Sequence, residues 1–411
     1  MTKFSTSCWS RIIMHVDMNA FFASIEQNDF LYLKDKPVAV TNGIKGSCVI
    51  TCSYEARAFG IKTGMRFRDA KLLCPELIRR PSRPERYIKI SKGIMEILNN
   101  VSPDLEIFSV DEAFLDLTHC QKIYPSPVFV AELVKKNIFS KFNLPCSIGI
   151  SDNKSIAKFA AKLNKPDGLT IINPWEAEQT LSNYSVTELC GVSYGIQKFL
   201  NFHGVFTCGD MKKIPISILG NRFGNIGRKI WLMAQGKDID GLNLKINQPK
   251  SFGHGKVTKP NTYNRNEIKK IFHYMSEKVA RRMRLYKYES NLFFVGLKTS
   301  KGWFGNKIKV DHYLNHGRDI FNLCMDLIEN FKFRYGIFQV QVTALKPRPV
   351  SLQQDLFVQA CNKDRALDLA MDKINEKFGE LTIAPARIIN KLENPDVISP
   401  SWRPEGHRKS I

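Results

Sequence analysis

The sequence has no long apolar run and no recognisable cysteine pattern. No stretch approaches the roughly 18 uninterrupted apolar residues of a membrane-spanning helix. Met1–Ser10 lacks the apolar core of a signal peptide, so we expect a cytoplasmic protein. The ten cysteines are scattered without a Cys-x-x-Cys spacing, which argues against a zinc site and against a disulfide framework. No internal repeat is visible along the chain.

Acidic residues are scarce relative to basic ones. The 411 residues include 61 Lys or Arg and 39 Asp or Glu, which leaves a net charge of +22. Such a chain attracts polyanions, chiefly nucleic acid or an anionic membrane surface. The excess is concentrated between Ser251 and Val350, where 19 basic residues stand against 7 acidic ones. This density favours contact with a phosphate backbone, although a solvated, solubilising surface would have the same composition.

The remaining composition, 43% hydrophobic and 24% charged, is that of a globular protein. At about 100–200 residues per domain, the length predicts two to four domains. Short apolar segments alternate with amphipathic ones, which predicts a multidomain α+β protein with a Gly43–Gly46 turn between two strands. The predicted elements are Arg11–Asp17, Lys36–Thr41, Cys48–Ser53, Tyr54–Phe59, Glu106–Asp116, Lys154–Leu163, a helical stretch from Pro174 to about Gly236, and then Lys278–Arg284, Asn291–Leu297 and Ile337–Thr343.

Three acidic residues stand at the ends of predicted strands. Asp17 ends the first strand, and Asp111 with Glu112 lies at the junction of two others. Three carboxylates brought together would repel one another strongly unless a divalent cation neutralised them. A magnesium-dependent phosphoryl or nucleotidyl transfer site needs such a group, because its two metal ions are held by carboxylate oxygens. Each acid taken alone is more often a cap or a turn residue.

Hydroxyl and basic side chains near these acids suit a triphosphate. Thr51 ends a strand, Tyr54 and Arg57 share one face of the following helical turn, and Lys165 follows a helix that could reach the same pocket. Hydroxyls and cations of this kind bind phosphate oxygens. The alternative is that Tyr54 is a core aromatic and Arg57 a surface charge, and the spacing alone does not choose between them.

Four stretches carry a specific pattern: His15–Glu26 (HVDMNAFFASIE), Tyr54–Met65 (YEARAFGIKTGM), Ser109–Asp116 (SVDEAFLD) and Ser147–Gly168, which runs from SIGISDNKSIAK to NKPDG. In this order they resemble the Y-family, or translesion, DNA polymerases, and most closely the bacterial DNA polymerase IV and V branch. The resemblance continues more weakly to about residue 360. It implies a right-hand polymerase with palm, fingers and helical thumb, followed by a separate α+β little finger that binds DNA.

The resemblance also implies domain boundaries. They are residues 1–20 and 80–173 for the palm, 21–79 for the fingers, 174–240 for a thumb with a helix-hairpin-helix, 241–250 for a linker, 251–350 for the little finger and 351–411 for a C-terminal tail.

Individual roles follow from the same resemblance. The implied residues are Asp111 and Glu112 as catalytic acids, Asp17 and the Met18 backbone carbonyl as further ligands of two Mg²⁺ ions, Thr51, Tyr54, Arg57 and Lys165 around the triphosphate of the incoming dNTP, Phe22 as steric gate, and Cys48 and Ile50 as the roof over the base pair. A bulky ring at Phe22 would leave no room for the 2′-hydroxyl of a ribonucleotide. Without the resemblance, Phe22 would be read as a core residue.

Two positions depart from the family pattern. Asn19 stands where many relatives carry Asp, but it is not one of the implied metal ligands. Leu189–Lys198 resembles the helix-hairpin-helix of the thumb, with Ser193 in place of its second glycine. Gly191 and Gly195 could still supply the turn, and a plain helix–turn–helix packing element is the alternative.

The C-terminal region holds a short peptide that resembles a clamp-binding motif. Gln353-Gln-Asp-Leu356-Phe357 matches the Gln-x-x-Leu-Phe pattern by which bacterial polymerases dock on the sliding clamp. Its Gln, Leu and Phe would enter a preformed pocket of that partner. The following Lys363–Phe378 segment predicts an amphipathic helix with one apolar stripe, Leu367, Met371, Ile374 and Phe378. Accessory subunits are a further possible class of partner.

Together these features predict template-directed, error-prone translesion DNA synthesis on primer–template DNA, during DNA damage repair or tolerance of the SOS type. Two rival hypotheses come from other classes. A catalytically silent DNA-binding or clamp-docking accessory protein would not need all three acids. A nucleotide cyclase also pairs carboxylates with two metals, but it would need neither a separate basic domain nor a clamp peptide.

Overall fold

The computed structural model describes residues 9–42, 48–244, 248–331, 334–351 and 361–389. These residues form two compact units, one up to residue 244 and one from residue 248 onward. The predicted turn at Gly43–Gly46 and the peptide with Gln353, Leu356 and Phe357 lie outside the described residues. Among the described helices, none combines the length and apolar character that crossing a membrane requires.

Strands and helices alternate along the first unit, which confirms the α+β prediction. Its described strands are β1 (Ile13–Met18), β2 (Val38–Thr41), β3 (Val49–Cys52), β4 (Ile78–Pro81), β5 (Leu105–Ile107), β6 (Glu112–Asp116), β7 (Cys146–Ser151) and β8 (Leu169–Ile171). Its described α-helices are α1 (Phe21–Asp29), α2 (Tyr54–Ala58), α3 (Phe67–Leu73), α4 (Pro84–Asn99), α5 (Pro127–Phe142), α6 (Lys154–Leu163), α7 (Ala177–Ser182), α8 (Tyr194–Phe202) and α9 (Ile216–Met233).

A five-stranded sheet in the order β5-β6-β1-β7-β8 forms the centre of this unit. The antiparallel register of β1 and β6 places Asp17 directly opposite Glu112. Because successive side chains of a strand point to opposite faces, Met14 and Val16 enter the main hydrophobic core, while Ile13 packs with Ala157 of α6 on the other face. Asp17 shares the face of Ile13, so the sheet directs this acid toward the side that α6 covers.

A smaller sheet in the order β3-β2-β4 carries α2 and α3. The predicted hairpin strands are confirmed, since β2 and β3 pair antiparallel. Helix α2 begins directly after β3, and the Ser53 hydroxyl caps it by accepting a hydrogen bond from the Ala56 N–H. This cap fixes where Tyr54 and Arg57 lie relative to the end of β3.

The stretch from α7 to α9 is helical, as the sequence predicts. It has a hydrophobic core of its own, which includes Leu181, Leu200, Leu219 and Met233. Ser193 is the N-cap residue of α8 and accepts no hydrogen bond with its side chain, while Gly191 adopts a positive φ of 94°. A glycine therefore supplies the left-handed turn before α8, even though Ser193 replaces the glycine that the family pattern places later.

The second unit is an antiparallel sheet covered by helices. Its elements are β9 (Ser251–Thr262), α10 (Arg265–Leu285), β10 (Tyr288–Thr299), β11 (Gly302–Leu314), α11 (Gly317–Asn330), β12 (Ile337–Leu345), β13 (Arg348–Pro349) and α12 (Cys361–Phe378). The main strands lie in the order β11-β10-β12-β9. Met275, Val279 and Met283 of α10 are buried in one core with Phe293 and Val295 of β10, and the element predicted at Lys278–Arg284 is confirmed as part of this helix.

The C-terminal helix is confirmed, and its predicted apolar stripe is only partly covered, since Met371 and Ile374 are half-buried. Leu367 and Phe378 are 56% and 65% exposed, whereas Asp368 is only 5% exposed. The reason lies on α10, where the buried Arg284 guanidinium bonds Asp372 Oδ2 at 2.7 Å and Asp368 Oδ2 at 3.2 Å. Leaving a buried charge unpaired costs more than exposing two apolar side chains, so the helix docks by its acidic face.

The unit therefore extends to the end of the described residues. His316 Nδ1 lies 2.7 Å from Asp368 Oδ2, Lys278 pairs with Glu380, and Ile388 is buried in the core of this unit. Arg284 and Lys278 belong to the basic run that the sequence links to phosphate contact, yet both are engaged within the protein. Part of the positive charge of this region is thus used to hold α12 in place.

We expect Arg284→Ala to release α12. The change would leave Asp368 and Asp372 without their main cationic partner, at a cost of about 3 kcal/mol. Hydrogen exchange of the full chain would then show faster exchange of α12 amides, and urea would unfold the second unit at lower concentration. Arg348→Ala, which breaks a half-exposed pair with Glu289, is the matched control and should cost less than about 1 kcal/mol. Unchanged protection of α12 in Arg284→Ala would contradict the role of this ion-pair group.

Candidate active site

The three predicted acids lie at neighbouring strand ends. Asp17 faces Glu112 across the β1–β6 pair, and the Met18 N–H donates a hydrogen bond to the Asp111 carbonyl at 3.0 Å. The carboxyl groups of Asp17 and Glu112 are close enough to influence each other's pKa. Ser109 Oγ donates to Asp111 Oδ1 at 2.5 Å and lies 3.5 Å from Glu112 Oε2. The register of two strands thus gathers carboxyl groups that are far apart in sequence.

Burial and mutual repulsion disturb the ionisation of these acids. Burial raises the pKa of Asp17 to about 7, with Glu112 and Asp111 adding to the shift while Lys165 opposes it. Burial and the neighbouring Glu112 also raise the pKa of Asp111. Burial opposes ionisation of Glu112 as well, but the Lys158 ammonium outweighs it and lowers the pKa of Glu112 to about 2. Two of the three acids are therefore held in a site that disfavours their charge.

Lysines compensate the acids in this structure. Lys165 Nζ lies 2.5 Å from Asp17 Oδ1, and Lys158 Nζ forms an ion pair with Glu112 Oε1. One turn earlier on α6, Lys154 Nζ lies 2.5 Å from Glu106 Oε2. Lys154 and Lys158 were not among the predicted site residues. Their signal was the spacing of four residues along α6, which aligns them on one face of the helix above the acid-bearing side of the sheet.

A histidine beneath the acids was also missed. His15 is fully buried, its ring packs on Phe114 with 4.5 Å between centroids, and its Nε2 lies 3.9 Å from Glu112 Oε1. Neither ring nitrogen has a hydrogen-bond partner within the described residues. Burial, with Lys158 nearby, lowers the pKa of His15 to about 3, so the ring is neutral. Its position two residues before Asp17, on the same face of the strand, is the feature of the sequence that could have indicated His15.

The predicted metal site is not assembled as a ligand set in this structure. Among the residues that the structure describes, no three His, Cys, Asp or Glu side chains are close enough together to hold a metal ion. The donor chemistry nevertheless fits magnesium, which prefers carboxylate and carbonyl oxygens. Two buried carboxyl groups with raised pKa values are also what a divalent cation would relieve, because it favours their charged forms. The set Asp17, Met18 carbonyl, Asp111 and Glu112 therefore stays a prediction.

Some of the residues predicted to bind the triphosphate lie beside the acids. Arg57 stacks its guanidinium over the Tyr54 ring, 4.7 Å from the centroid, and Lys165 already contacts Asp17. Burial raises the pKa of the Tyr54 phenol, so its hydroxyl stays protonated and able to donate. Thr51 is half-buried on β3 and, within the described residues, makes no hydrogen bond to these groups. The structure thus connects Tyr54, Arg57 and Lys165 to the site, but not Thr51.

Phe22 is the predicted steric gate, and Cys48 and Ile50 are the predicted roof over the base pair. Phe22 is 7% exposed and stacks on Tyr87 at 4.3 Å between ring centroids, with 14° between the planes. Ile50 is partly buried against the main core, and Cys48 is exposed, beside Arg66 in an isolated bridge. The gate and roof assignments of these residues stay predictions.

Within the described part of the second unit, no helix packs on one face of the sheet, which we call the open sheet face. It lies opposite the face that α10 and α11 cover. Paired register places Lys307 opposite Phe294 and Lys298 opposite Trp303, and Lys309 follows on the same face. The Phe294 and Trp303 rings meet edge to face, with centroids 6.4 Å apart. A Cβ at Gly296 would lie 2.8 Å from Phe294 Cζ, so this glycine makes room for the ring on the sheet.

We expect magnesium to stabilise the first unit through the acids. A cation that binds the folded site but not the unfolded chain raises the melting temperature, and here it would replace mutual repulsion by coordination. Asp111→Asn should abolish this shift, and without divalent ions it should raise stability by about 1 kcal/mol because it removes a buried like charge. Thermal melts in EDTA and in MgCl₂ measure both effects. Asp167→Asn is the control, since its side chain is largely exposed and its magnesium response should be kept. An Asp111→Asn variant that still responds to magnesium would contradict the site.

The chain is similar to known proteins over parts of both units. The impB/mucB/samB family matches residues 16–162, and the impB/mucB/samB family C-terminal domain matches residues 249–356. A DNA polymerase IV from Moorella thermoacetica is 33% identical over 380 residues, which cover 90% of this chain and 94% of the relative. A DNA polymerase IV from Lactococcus lactis subsp. cremoris is 36% identical over 297 residues, which cover 71% of this chain and 81% of the relative.

A solved structure has the same fold. A Y-family DNA polymerase chimera of Dbh and Dpo4 matches with a TM-score of 0.72 at 24% identity, over 82% of this chain and 99% of that one. This likeness confirms the predicted right-hand architecture with palm, fingers, thumb and little finger. The matched ranges include all three acids, Phe22, Tyr54 and Arg57. The chain therefore belongs to the Y-family of DNA polymerases, in the branch described as the impB/mucB/samB family.

Proposed function

We propose that this protein is a template-directed DNA polymerase that adds dNTPs to a primer 3′ end and copies past damaged bases with low fidelity. The observation that carries the proposal is the register that sets Asp17 opposite Glu112, with Asp111 hydrogen-bonded through its backbone to Met18. This arrangement occurs in a chain whose relatives are named DNA polymerase IV. Synthesis past lesions during damage repair or tolerance follows from that kinship.

The acids would hold two Mg²⁺ ions together with the Met18 carbonyl. Bound there, the ions would lower the pKa of the primer 3′-hydroxyl and stabilise the leaving pyrophosphate. Asp111 and Glu112 orient the reacting end, and Lys158 keeps one oxygen of Glu112 engaged so that the other faces the site. Lys165 exchanges its contact with Asp17 for a phosphate oxygen of the incoming nucleotide, which frees the carboxylate for coordination.

Tyr54, Arg57 and Lys165 would orient the triphosphate, with Thr51 approaching from the end of β3. Arg57 stacked on Tyr54 presents its guanidinium beside the phenol, so that two donors can serve one phosphate group. A cationic and hydroxyl lining of this kind positions the α-phosphate without entering the reaction itself.

Selection of the sugar is assigned to Phe22. Its ring is held by the stacked Tyr87, whose hydroxyl donates to Glu26 Oε1 at 2.8 Å. A ring fixed in this way cannot swing aside to admit a 2′-hydroxyl, so ribonucleotides are refused. Cys48 and Ile50 form the roof over the nascent base pair, where small side chains leave space for altered bases.

The duplex would be bound mainly by phosphate contacts from the little finger and thumb. The open sheet face offers Lys298, Lys307 and Lys309 beside two aromatic rings, and the helix side of the same unit has Arg284 engaged internally. We therefore assign duplex binding to the open sheet face rather than to the basic residues of α10. The domain boundaries given by the resemblance, and docking of Gln353, Leu356 and Phe357 on a sliding clamp, are part of the same proposal.

Primer extension tests the central proposal. The purified full chain should extend a primer on undamaged and abasic templates with dNTPs and magnesium, and it should refuse rNTPs. Asp111→Ala and Glu112→Ala should reduce extension by at least about 10³-fold while duplex binding survives, since the acids act on the reaction and not on the duplex. Asp104→Ala is the control. It changes a residue directly before β5 and outside the site, and the variant should extend the primer normally.

Other outcomes point to other functions. Tight duplex binding without extension, even with a clamp added, would favour the silent accessory protein. Conversion of nucleotides without template would favour a cyclase. Full extension by Asp111→Ala would contradict the assignment of the acids.

The open sheet face makes a separate prediction about salt. Changing Lys298, Lys307 and Lys309 together to Gln should weaken duplex binding and reduce the slope of log affinity against log salt by about 0.9 for each phosphate that the variant no longer neutralises. Fluorescence anisotropy at several salt concentrations measures the slope. Changing Arg265, Lys269 and Arg318 on the helix side together to Gln is the matched control and should leave the slope nearly unchanged. An equal weakening in both variants would contradict the choice of face.

A further inference from the structure

Asn19 connects three parts of the active site that are distant in sequence. It is 1% exposed and lies two residues after Asp17. Its Oδ1 accepts a hydrogen bond from the Asp167 N–H at 2.8 Å, two residues beyond Lys165. Its Nδ2 donates to Ser147 Oγ at 3.0 Å and to the Tyr54 hydroxyl at 3.4 Å. One buried amide therefore joins the end of β1, the segment after α6 and helix α2.

The chemistry of the partners sets the orientation of this amide. A backbone N–H can only donate, so the Asn19 atom that meets Asp167 N must be the carbonyl oxygen. The NH₂ group consequently faces Ser147 and Tyr54. An NH₂ group can only donate, and the Tyr54 hydroxyl therefore accepts from Asn19.

This polarity leaves the phenol proton of Tyr54 for another partner. A phenolic hydroxyl has one proton, and a hydroxyl that accepts from Asn19 keeps that proton to donate elsewhere. Arg57 stacks its guanidinium over the ring of the same tyrosine, 4.7 Å from the ring centroid. A donor beside a guanidinium is suited to an anionic oxygen.

We infer that Asn19 is a positioning residue for triphosphate binding. Its amide orients the Tyr54 hydroxyl as a donor to a phosphate oxygen, and its carbonyl anchors the segment that carries Lys165. This inference rests on the proposed polymerase function, because the triphosphate is that of the incoming dNTP.

An aspartate at position 19 would reverse the polarity. An ionised carboxylate only accepts, so it could still receive the Asp167 N–H but would also take the Tyr54 proton. The phenol would then present a lone pair to the phosphate in place of a donor. The new carboxylate would in addition place a negative charge near the triphosphate, and the experiment must separate these two effects.

A double-mutant cycle with Tyr54→Phe makes this separation. The readout is the dissociation constant of a fluorescent dNTP analogue, mant-dATP, for the full chain on primer–template DNA with Ca²⁺ in place of Mg²⁺. Asn19→Asp should raise this constant about tenfold, and Tyr54→Phe should raise it by a similar factor, because each removes one charge-assisted hydrogen bond. The double variant should bind no more weakly than the weaker single variant. In extension assays, KM for dNTP should rise with little change in kcat.

Two outcomes overturn the inference. If Asn19→Asp weakens binding by the same factor with Tyr54 and with Phe at position 54, the effect is one of charge alone. If Tyr54→Phe binds like the unchanged chain, the hydroxyl does not contact the triphosphate, and this test stands even if Asn19→Asp fails to fold. A chain that binds mant-dATP as expected but extends no primer would refute the proposed function and leave the role of Asn19 intact.

Discussion

Repulsion between carboxylates is the constraint around which the first unit is organised. The pairing of β1 with β6 brings Asp17 and Glu112 face to face, and burial raises the cost of charging them. Two lysines balance this negative charge. Lys158 of α6 contacts Glu112, and Lys165, just beyond the end of that helix, contacts Asp17. In the proposed function, divalent metal at the acids and a phosphate oxygen at Lys165 would take over these contacts. The groups that balance charge within the protein would then be the groups that recognise the substrate.

A different use of charge shapes the second unit. The region is strongly basic, but one buried cation, Arg284, serves to dock α12 through Asp368 and Asp372. The lysines that we propose for DNA contact stand on the open sheet face beside Phe294 and Trp303. Net charge is thus a poor guide to the binding surface, because internal ion pairs remove some cations from solvent while aromatic neighbours mark others.

Sequence patterns predicted those features that depend on neighbours along the chain. Helix α6 agrees with Lys154–Leu163 residue for residue, because a capping Asn153 and the Asn164–Gly168 segment bound an amphipathic run. The acids were found because strand ends followed by carboxylates are visible locally. The apolar stripe of α12 was also found from local periodicity, which reports an amphipathic face but not which face of the helix packs on the protein. Lys158 and His15 were not predicted as site residues, because each matters through its proximity to Glu112, which is distant in sequence.

By itself, the sequence determined the family, the α+β class, most elements and which side chains are proposed to react, because these depend on residue type and short-range spacing. Only the tertiary structure decided which side chains meet. It placed Asn19 between Tyr54 and Asp167, paired Lys158 with Glu112 and turned the acidic face of α12 inward. Such contacts join residues far apart in the chain, and hydrogen-bond polarity and the cost of burying charge select among them only once strands and helices have packed.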